Sequence, residues 1–340
     1  MSAYAVLGAT SWGVTLAALL ERAGSDVILV VRSELEAHAV RAAGGLERLG
    51  AGRVLGPRVH VHPAPLTPGH AASLAGALVA VPSHAVRESV LASGLPATVP
   101  VVSATKGLDL ETSSRMTALL AALGFDPART GALSGPNLAH EIIRGLPAAA
   151  VVAVPDPDLG LAWQHALSHG AFRVYASTDV VGVELAGALK NVIAIAAGAA
   201  WGLGFGANAV AAIMTRGLAE MTRLGLALGA ELATFNGLAG VGDLAATCFS
   251  PLSRNRRFGE LLAAGRSPPR PPPKSAKRSK GPAPRPSPSA WPPLPASSSP
   301  SPPRSRPSSA APAPSPRRCF ASSAVRSPAK NSPPVMLRSR

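Results

Sequence analysis

The residues best suited to chemistry are two lysines, one carboxylate and a basic turn. The stretch 182–198, GVELAGALKNVIAIAAG, holds Glu184, Lys190 and Asn191, the only charged or amide residues between Gly182 and Gly206. A lysine in so apolar a run snorkels to water, pairs with an acid such as Glu184, or is held near neutrality for proton transfer. Lys106 follows directly on the apolar run VVSAT, where an ammonium would project into a cleft. GVGDLAATC puts Asp243 and Thr247 four apart, on one face of a helix. Ser253, Arg254 and Asn255 stand at a helix start with Arg256 and Arg257 beside them. Hydroxyl, amide and guanidinium groups at such an end suit a phosphate dianion, and a solvated basic turn shares the composition.

These side chains need elements to hold them. Val183, Ala186, Leu189, Ile193 and Ala197 recur at three- and four-residue spacing, so the Lys190 stretch reads as a helix. At the N-terminus AYAVL, GATSWG and VTLAALLERAG read as strand, glycine turn and helix. That order aims backbone N–H groups and a helix N-terminus at a pyrophosphate. Gly8 makes the tight turn and Gly13 lets the helix pack on the strand; Thr10 stands where the fingerprint has its middle glycine. DVILVVR supplies a second strand that ends in Arg32. An acid there would hold the 2′-hydroxyl of NAD, whereas an arginine accommodates the 2′-phosphate of NADP, so the residue favours NADPH slightly and is otherwise an exposed strand end.

Further apolar runs, each closed by Pro, Gly, Ser or Thr, predict repeated strand–turn–helix units and a largely parallel, doubly wound sheet. From about Asp179 the pattern turns helical, over 180–199, 208–229, 237–248 and 251–264. The predicted fold class is α/β: an N-terminal Rossmann-type domain over 1–178, an all-α domain over 179–265, and a Pro/Arg/Ser-rich tail over 266–340 that composition predicts to be disordered.

The net charge of +15 belongs to that tail, which holds 15 of the 33 Lys and Arg and none of the 18 acids. The remaining residues balance, 18 basic against 18 acidic. A neutral body without aromatic interleaving predicts no specific nucleic-acid partner. Two cysteines, Cys248 and Cys319, suggest neither a disulfide framework nor a thiolate metal site. No basic residue precedes the first apolar run, so no signal peptide is expected. The glycine-broken run from Val192 to Met214 reads as buried helices and not as a membrane span, and the expected location is cytoplasmic.

Taken together, the stretches resemble the bacterial-type NAD(P)-dependent glycerol-3-phosphate dehydrogenases. VLGATSWG, VAVPSHAVRE, VVSATKGL, LSGPNLAHEIIRGLP, FRVY, GVELAGALKNVIAIAAG, TRGLAEMTRLG, GLAGVGDLAATC and SPLSRNRRFGELL occur in family order. The resemblance implies reversible reduction of dihydroxyacetone phosphate to sn-glycerol 3-phosphate, feeding glycerophospholipid synthesis, by a homodimer. It implies Lys190 as general acid/base and Lys106 as a second positive charge near substrate and nicotinamide. It further implies substrate contacts from Gly135, Asn137 (more often Ser in the family), Asn191, Asp243, Thr247, Ser253, Arg254 and Asn255. Cofactor contacts fall on Ser11, Trp12, Arg32, Lys106, Ala139 and Arg254, with Gly8 and Gly13 shaping the turn.

After about Arg266 the resemblance stops. The family continues with helices and a glutamate-bearing segment that completes the cofactor site, whereas this chain carries 22 of its 35 prolines there. The expected source of the change is an out-of-frame reading of a GC-rich gene, with a genuine linker or binding arm as the alternative, and the all-α domain is expected to be truncated. Two alternatives stand beside the family reading: a related hydroxyacid or ketopantoate-type reductase, and an inactive homologue whose basic tail binds polyanions.

Overall fold

Short apolar runs that alternate sides build the sheet on which everything else is hung. The computed structural model describes residues 3–50 and 52–266. Among them eight strands form one sheet: β1 (Ala3–Leu7), β2 (Asp26–Val31), β3 (Val59–Pro63), β4 (Leu74–Val79), β5 (Val101–Ser103), β6 (Thr130–Ser134), β7 (Ala148–Ala153) and β8 (Phe172–Ser177). Their order is β3-β2-β1-β4-β5-β6-β7-β8, parallel throughout except between β6 and β7. The strand order reverses between β1 and β4, and ligands of open α/β sheets bind beyond the strand ends at such a point.

Among the described residues seven α-helices accompany the strands: α1 (Ser11–Arg22), α2 (Glu34–Ala43), α3 (Pro68–Ala72), α4 (Val86–Ser93), α5 (Met116–Ala122), α6 (Ala139–Ile143) and α7 (Pro157–Leu167). They cover both faces, and the period-two alternation of the strands decides which residue goes where. Val6, Val27, Leu29 and Val31 join one core with α1, α6 and α7; Ala5, Leu7, Ile28 and Val30 join the other with α4 and α5. β3, with its sequence VHVHP, has no counterpart in the sequence-based reading, because two histidines and a proline mask its alternation.

From Asp179 onward the structure is helical: α8 (Val180–Gly202), α9 (Gly206–Ala227), α10 (Leu232–Asn236), α11 (Asp243–Phe249) and α12 (Arg254–Ala263). Asp179 caps α8, its Oδ1 accepting from Gly182 N at 2.8 Å, while Oδ2 accepts from Glu231 N and from the Thr234 hydroxyl. The single helix expected over 237–248 is a correction: Leu238–Gly242 forms one π-helical turn and α11 begins only at Asp243. A Cβ on Gly240 would collide with the Phe235 backbone, so the tight approach of this turn to α10 depends on glycine. α8 is long and apolar enough to cross a membrane, yet Leu185, Ala186, Ala194 and Ala197 are buried in a core shared with Phe235 and Leu244. The tail expected to be disordered lies outside the described residues.

Candidate active site

α8 carries Lys190 into the interior, where its side chain is 6 % exposed. A buried ammonium needs partners, and α11 supplies them. Lys190 Nζ donates to Asp243 Oδ1 at 2.5 Å and to Thr247 Oγ1 at 2.6 Å. The four-residue spacing puts Asp243 and Thr247 on one face, and the threonine hydroxyl also donates to the Asp243 carbonyl at 2.6 Å. From the end of β5, Lys106 Nζ donates to Asp243 Oδ2 at 2.6 Å and to the Gly135 carbonyl at 2.7 Å. One buried carboxylate thus stands between two ammonium groups, with Ser134 Oγ 3.5 Å from Oδ2.

Gly187, which the sequence did not single out, allows this convergence. A Cβ there would lie 2.6 Å from Ser134 Oγ and 3.5 Å from Lys106 Cγ. The electrostatics follow from the geometry. Burial lowers the Lys190 pKa, the Lys106 charge lowers it further, and the Asp243 carboxylate opposes both; the balance is about 8. A Lys190–Glu184 pair is not formed. Glu184 lies elsewhere, paired with Arg115 at 2.7 Å and accepting from the Thr117 amide and hydroxyl. Burial pushes its carboxyl up, against those hydrogen bonds and the Arg115 charge.

Beside Lys190, Asn191 Oδ1 accepts from Asn255 Nδ2 at 2.7 Å, which ties α8 to the start of α12. Ser253 caps that helix, accepting from Arg256 N at 3.2 Å, and Arg254 is exposed at its first position. Gly135 has φ +142°, and a Cβ there would stand 2.9 Å from the Ala149 carbonyl. Two residues on, both polar atoms of Asn137 are buried without a partner. A buried amide left so is costly unless a ligand completes it. Ala139 opens α6.

The second station is the β1–α1 turn. Gly8 has φ +104°, and a Cβ would lie 2.4 Å from Val81 Cγ1; a Cβ on Gly13 would lie 2.1 Å from the Gly8 carbonyl. Both glycines are therefore required, as a dinucleotide cradle demands. Thr10 caps α1, accepting from Gly13 N at 2.9 Å and donating to the Ala80 carbonyl at 2.7 Å. Ser11 and Trp12 open the helix, and the buried Trp12 Nε1 has no partner. The cradle and these orphaned polar groups fit a dinucleotide. Arg32 is 85 % exposed and bound to Glu36, with Nη2 3.1 Å from Oε1. Glu36 and Arg48, whose Nε donates to Ser11 Oγ at 2.8 Å, are neighbours of this station that motif reading missed.

A glycine turn at the switch point, followed by a helical domain with a buried lysine–carboxylate cluster, defines the Rossmann-fold oxidoreductases that carry an all-α second domain. Family models described as NAD-dependent glycerol-3-phosphate dehydrogenase N-terminus and C-terminus match residues 3–160 and 179–272. Glycerol-3-phosphate dehydrogenase (NAD(P)+) 2 of Mycobacterium tuberculosis H37Rv is 45 % identical over 270 residues, 78 % of this chain and 79 % of that protein. The enzyme of Corynebacterium glutamicum strain R is 44 % identical over 273 residues, 78 % and 81 % of the two chains. The crystal structure of glycerol-3-phosphate dehydrogenase from Coxiella burnetii superposes with a TM-score of 0.71 at 35 % identity, covering 78 % of this chain and 81 % of that one. D-mandelate dehydrogenase, at 10 % identity and a TM-score of 0.51, shares the fold alone. The chain belongs to the NAD(P)-dependent glycerol-3-phosphate dehydrogenase family.

Proposed function

We propose that this site interconverts dihydroxyacetone phosphate and sn-glycerol 3-phosphate, with Lys190 moving the proton at the C2 oxygen. The observation that carries the reading is the buried Lys190 ammonium, held against Asp243 and Thr247 with a pKa near 8. The dinucleotide, when bound, supplies or accepts the hydride. Reduction of a carbonyl leaves charge on oxygen, which a positioned acid must neutralise. Lys190 gives its proton there, and Lys106, held by Asp243 and the Gly135 carbonyl, lowers the energy of the developing oxyanion. In the reverse direction neutral Lys190 takes the hydroxyl proton.

The remaining groups position the substrate. Asn191, Asn255 and the partnerless Asn137 offer hydrogen bonds to its oxygens, and Gly135 lets the chain approach closely. Ser253, Arg254 and the α12 N-terminus suit its phosphate, because the first-turn N–H groups and a guanidinium both favour a dianion. Gly8, Ser11, Trp12, Gly13, Arg32 and Ala139 would hold the cofactor, with Lys106 and Arg254 at its reactive end. The cation at the end of β2 tilts the choice toward NADPH. The same reading includes a small phosphate substrate, a cytoplasmic location, a homodimer, and no specific nucleic-acid or membrane partner.

Two variants test it, measured in this chain and in a chimera bearing a relative's C-terminal segment. Lys190→Ala should lower turnover ~10² to 10⁴-fold, the range of a positioned acid–base group, with cofactor binding kept. Arg254→Ala should raise KM for dihydroxyacetone phosphate roughly ten- to a hundred-fold, as loss of a charge-assisted hydrogen bond implies. A Lys190→Ala enzyme retaining a tenth of wild-type turnover would remove the lysine from proton transfer.

A further inference from the structure

We infer that Arg48 is the residue that reads the adenosine-side phosphate of the cofactor, and that through it the chain selects NADP(H) over NAD(H). The inference rests on the dinucleotide reading of the β1–α1 turn and names the group that decides which dinucleotide enters.

Arg32 is compromised for that task. Glu36 Oε2 accepts from the Arg32 amide at 3.0 Å and from Nε at 3.2 Å, and Oε1 accepts from Nη2 at 3.1 Å. One edge of the guanidinium fork is therefore filled, and its charge is matched by a carboxylate. A 2′-phosphate arriving at the end of β2 would meet an acid as well as a cation. Burial pushes the Glu36 carboxyl up, but the hydrogen bonds and charge of Arg32, with the Arg48 charge added, hold it below the usual range. Glu36 therefore stays ionised, and Arg48 is near enough to act on it. No carboxylate lies within ion-pair distance of Arg48 among the described residues.

Arg48 is set in place by its neighbours. It sits in a 3₁₀ turn, Glu47–Leu49, closed by Gly50 in the left-handed region. Leu49 is buried in the same core as Val40 and Val54, and Leu46 packs against that core. With both flanking leucines anchored, the arginine between them lies back over the glycine turn. Its Nε donates to Ser11 Oγ at 2.8 Å and its Nη2 to the Ala9 carbonyl at 3.2 Å. A guanidinium has five N–H donors, so most of the fork remains for a ligand.

The turn also needs a cation. Thr10 replaces the middle glycine of the fingerprint, and its hydroxyl already takes the Gly13 N–H that a phosphate could otherwise use. A guanidinium beside Ser11 restores positive potential there. Its nearness to Glu36 places it on the β2 side of the turn, where the adenosine ribose of a dinucleotide belongs in this fold. An arginine fork matches a phosphate in a way that the paired Arg32 cannot match alone.

The test is calorimetric titration of NADPH and NADH into the full chain and into Arg48→Ala and Arg48→Lys, with thermal melts to confirm folding. Arg48→Ala should weaken NADPH about ten- to a hundred-fold and NADH less than about threefold, with Arg48→Lys between wild type and alanine for NADPH. Equal losses for both dinucleotides would make Arg48 a pyrophosphate ligand and overturn its role in selection. Unchanged affinities would return it to the surface. The same titrations are run in the chimera bearing a relative's C-terminal segment, and a folded chimera that binds neither dinucleotide would instead sink the cofactor reading itself, and this inference with it.

Discussion

Lys190 is protonated or neutral according to a contest between burial and one carboxylate, and the reaction's direction should follow. Its pKa of about 8 lies well below the ordinary lysine value, with burial the largest cause. In the role proposed for Lys190, reduction uses the ammonium as acid, so kcat/KM for dihydroxyacetone phosphate should fall as pH rises through about 8. Oxidation of glycerol 3-phosphate needs the neutral amine and should rise over the same interval. A rate profile in which both directions share one slope near that pH would contradict the assignment. The same depression acts on folding. The unfolded chain keeps the Lys190 proton up to ~10.4, so this group makes the fold more stable as pH climbs from about 8 toward that value. Asp243→Asn removes the one charge that opposes burial and Lys106. Its alkaline limb for reduction should therefore move to lower pH, and profiles of the two enzymes would show it directly.

At the scale of elements, the position of Asn191 and Asn255 depends on how closely α8 and α12 approach. A Cβ on Gly198 would stand 2.0 Å from the Arg256 carbonyl, and one on Gly259 would stand 2.0 Å from the Ile195 carbonyl. These are backbone contacts, which no rotamer change relieves. Gly259→Ala should cost about 1 to 3 kcal/mol, the usual range for overpacking, and should raise KM for the phosphate substrate as α12 shifts; urea melts and steady-state kinetics read the two effects. Neither glycine signalled this in the sequence. What was legible had a strong local signature. β1 and its glycine turn stood out because an apolar run ends at Gly8, and α8 because its apolar residues keep helical spacing. The Lys190–Glu184 pair was open on composition alone, yet residues six apart on a helix of 3.6 residues per turn fall on different faces. Glu184 instead fastens α8 to Arg115 and Thr117, a long-range contact that no spacing encodes. Arg48 was invisible for a similar reason, since the triplet ERL names no turn and no ligand.

At the scale of the whole molecule, the last quarter of the chain departs from the family, and we propose an out-of-frame reading as the source. The family match ends at residue 272. The 270 residues shared with the M. tuberculosis relative are 78 % of this chain and 79 % of that protein, so each has a similar share left unmatched. The tail lies almost wholly beyond the end of that family match. It carries 22 of 35 prolines and no acid, a composition of the GC-rich codons that a shifted frame yields. In the helical domain Leu203, Phe205, Phe249, Leu252, Leu261 and Leu262 are exposed. Another frame of the same DNA, read from about codon 266, should therefore encode amphipathic helices and an acidic segment similar to the relatives' C-termini. The 340-residue chain should turn over poorly and aggregate, and the chain continued in that frame should be soluble and active. Sequencing the locus and assaying both polypeptides decides the matter. Unrelated sequence and stop codons in both other frames, with full dehydrogenase activity from the chain as it stands, would show the tail to be an evolved segment.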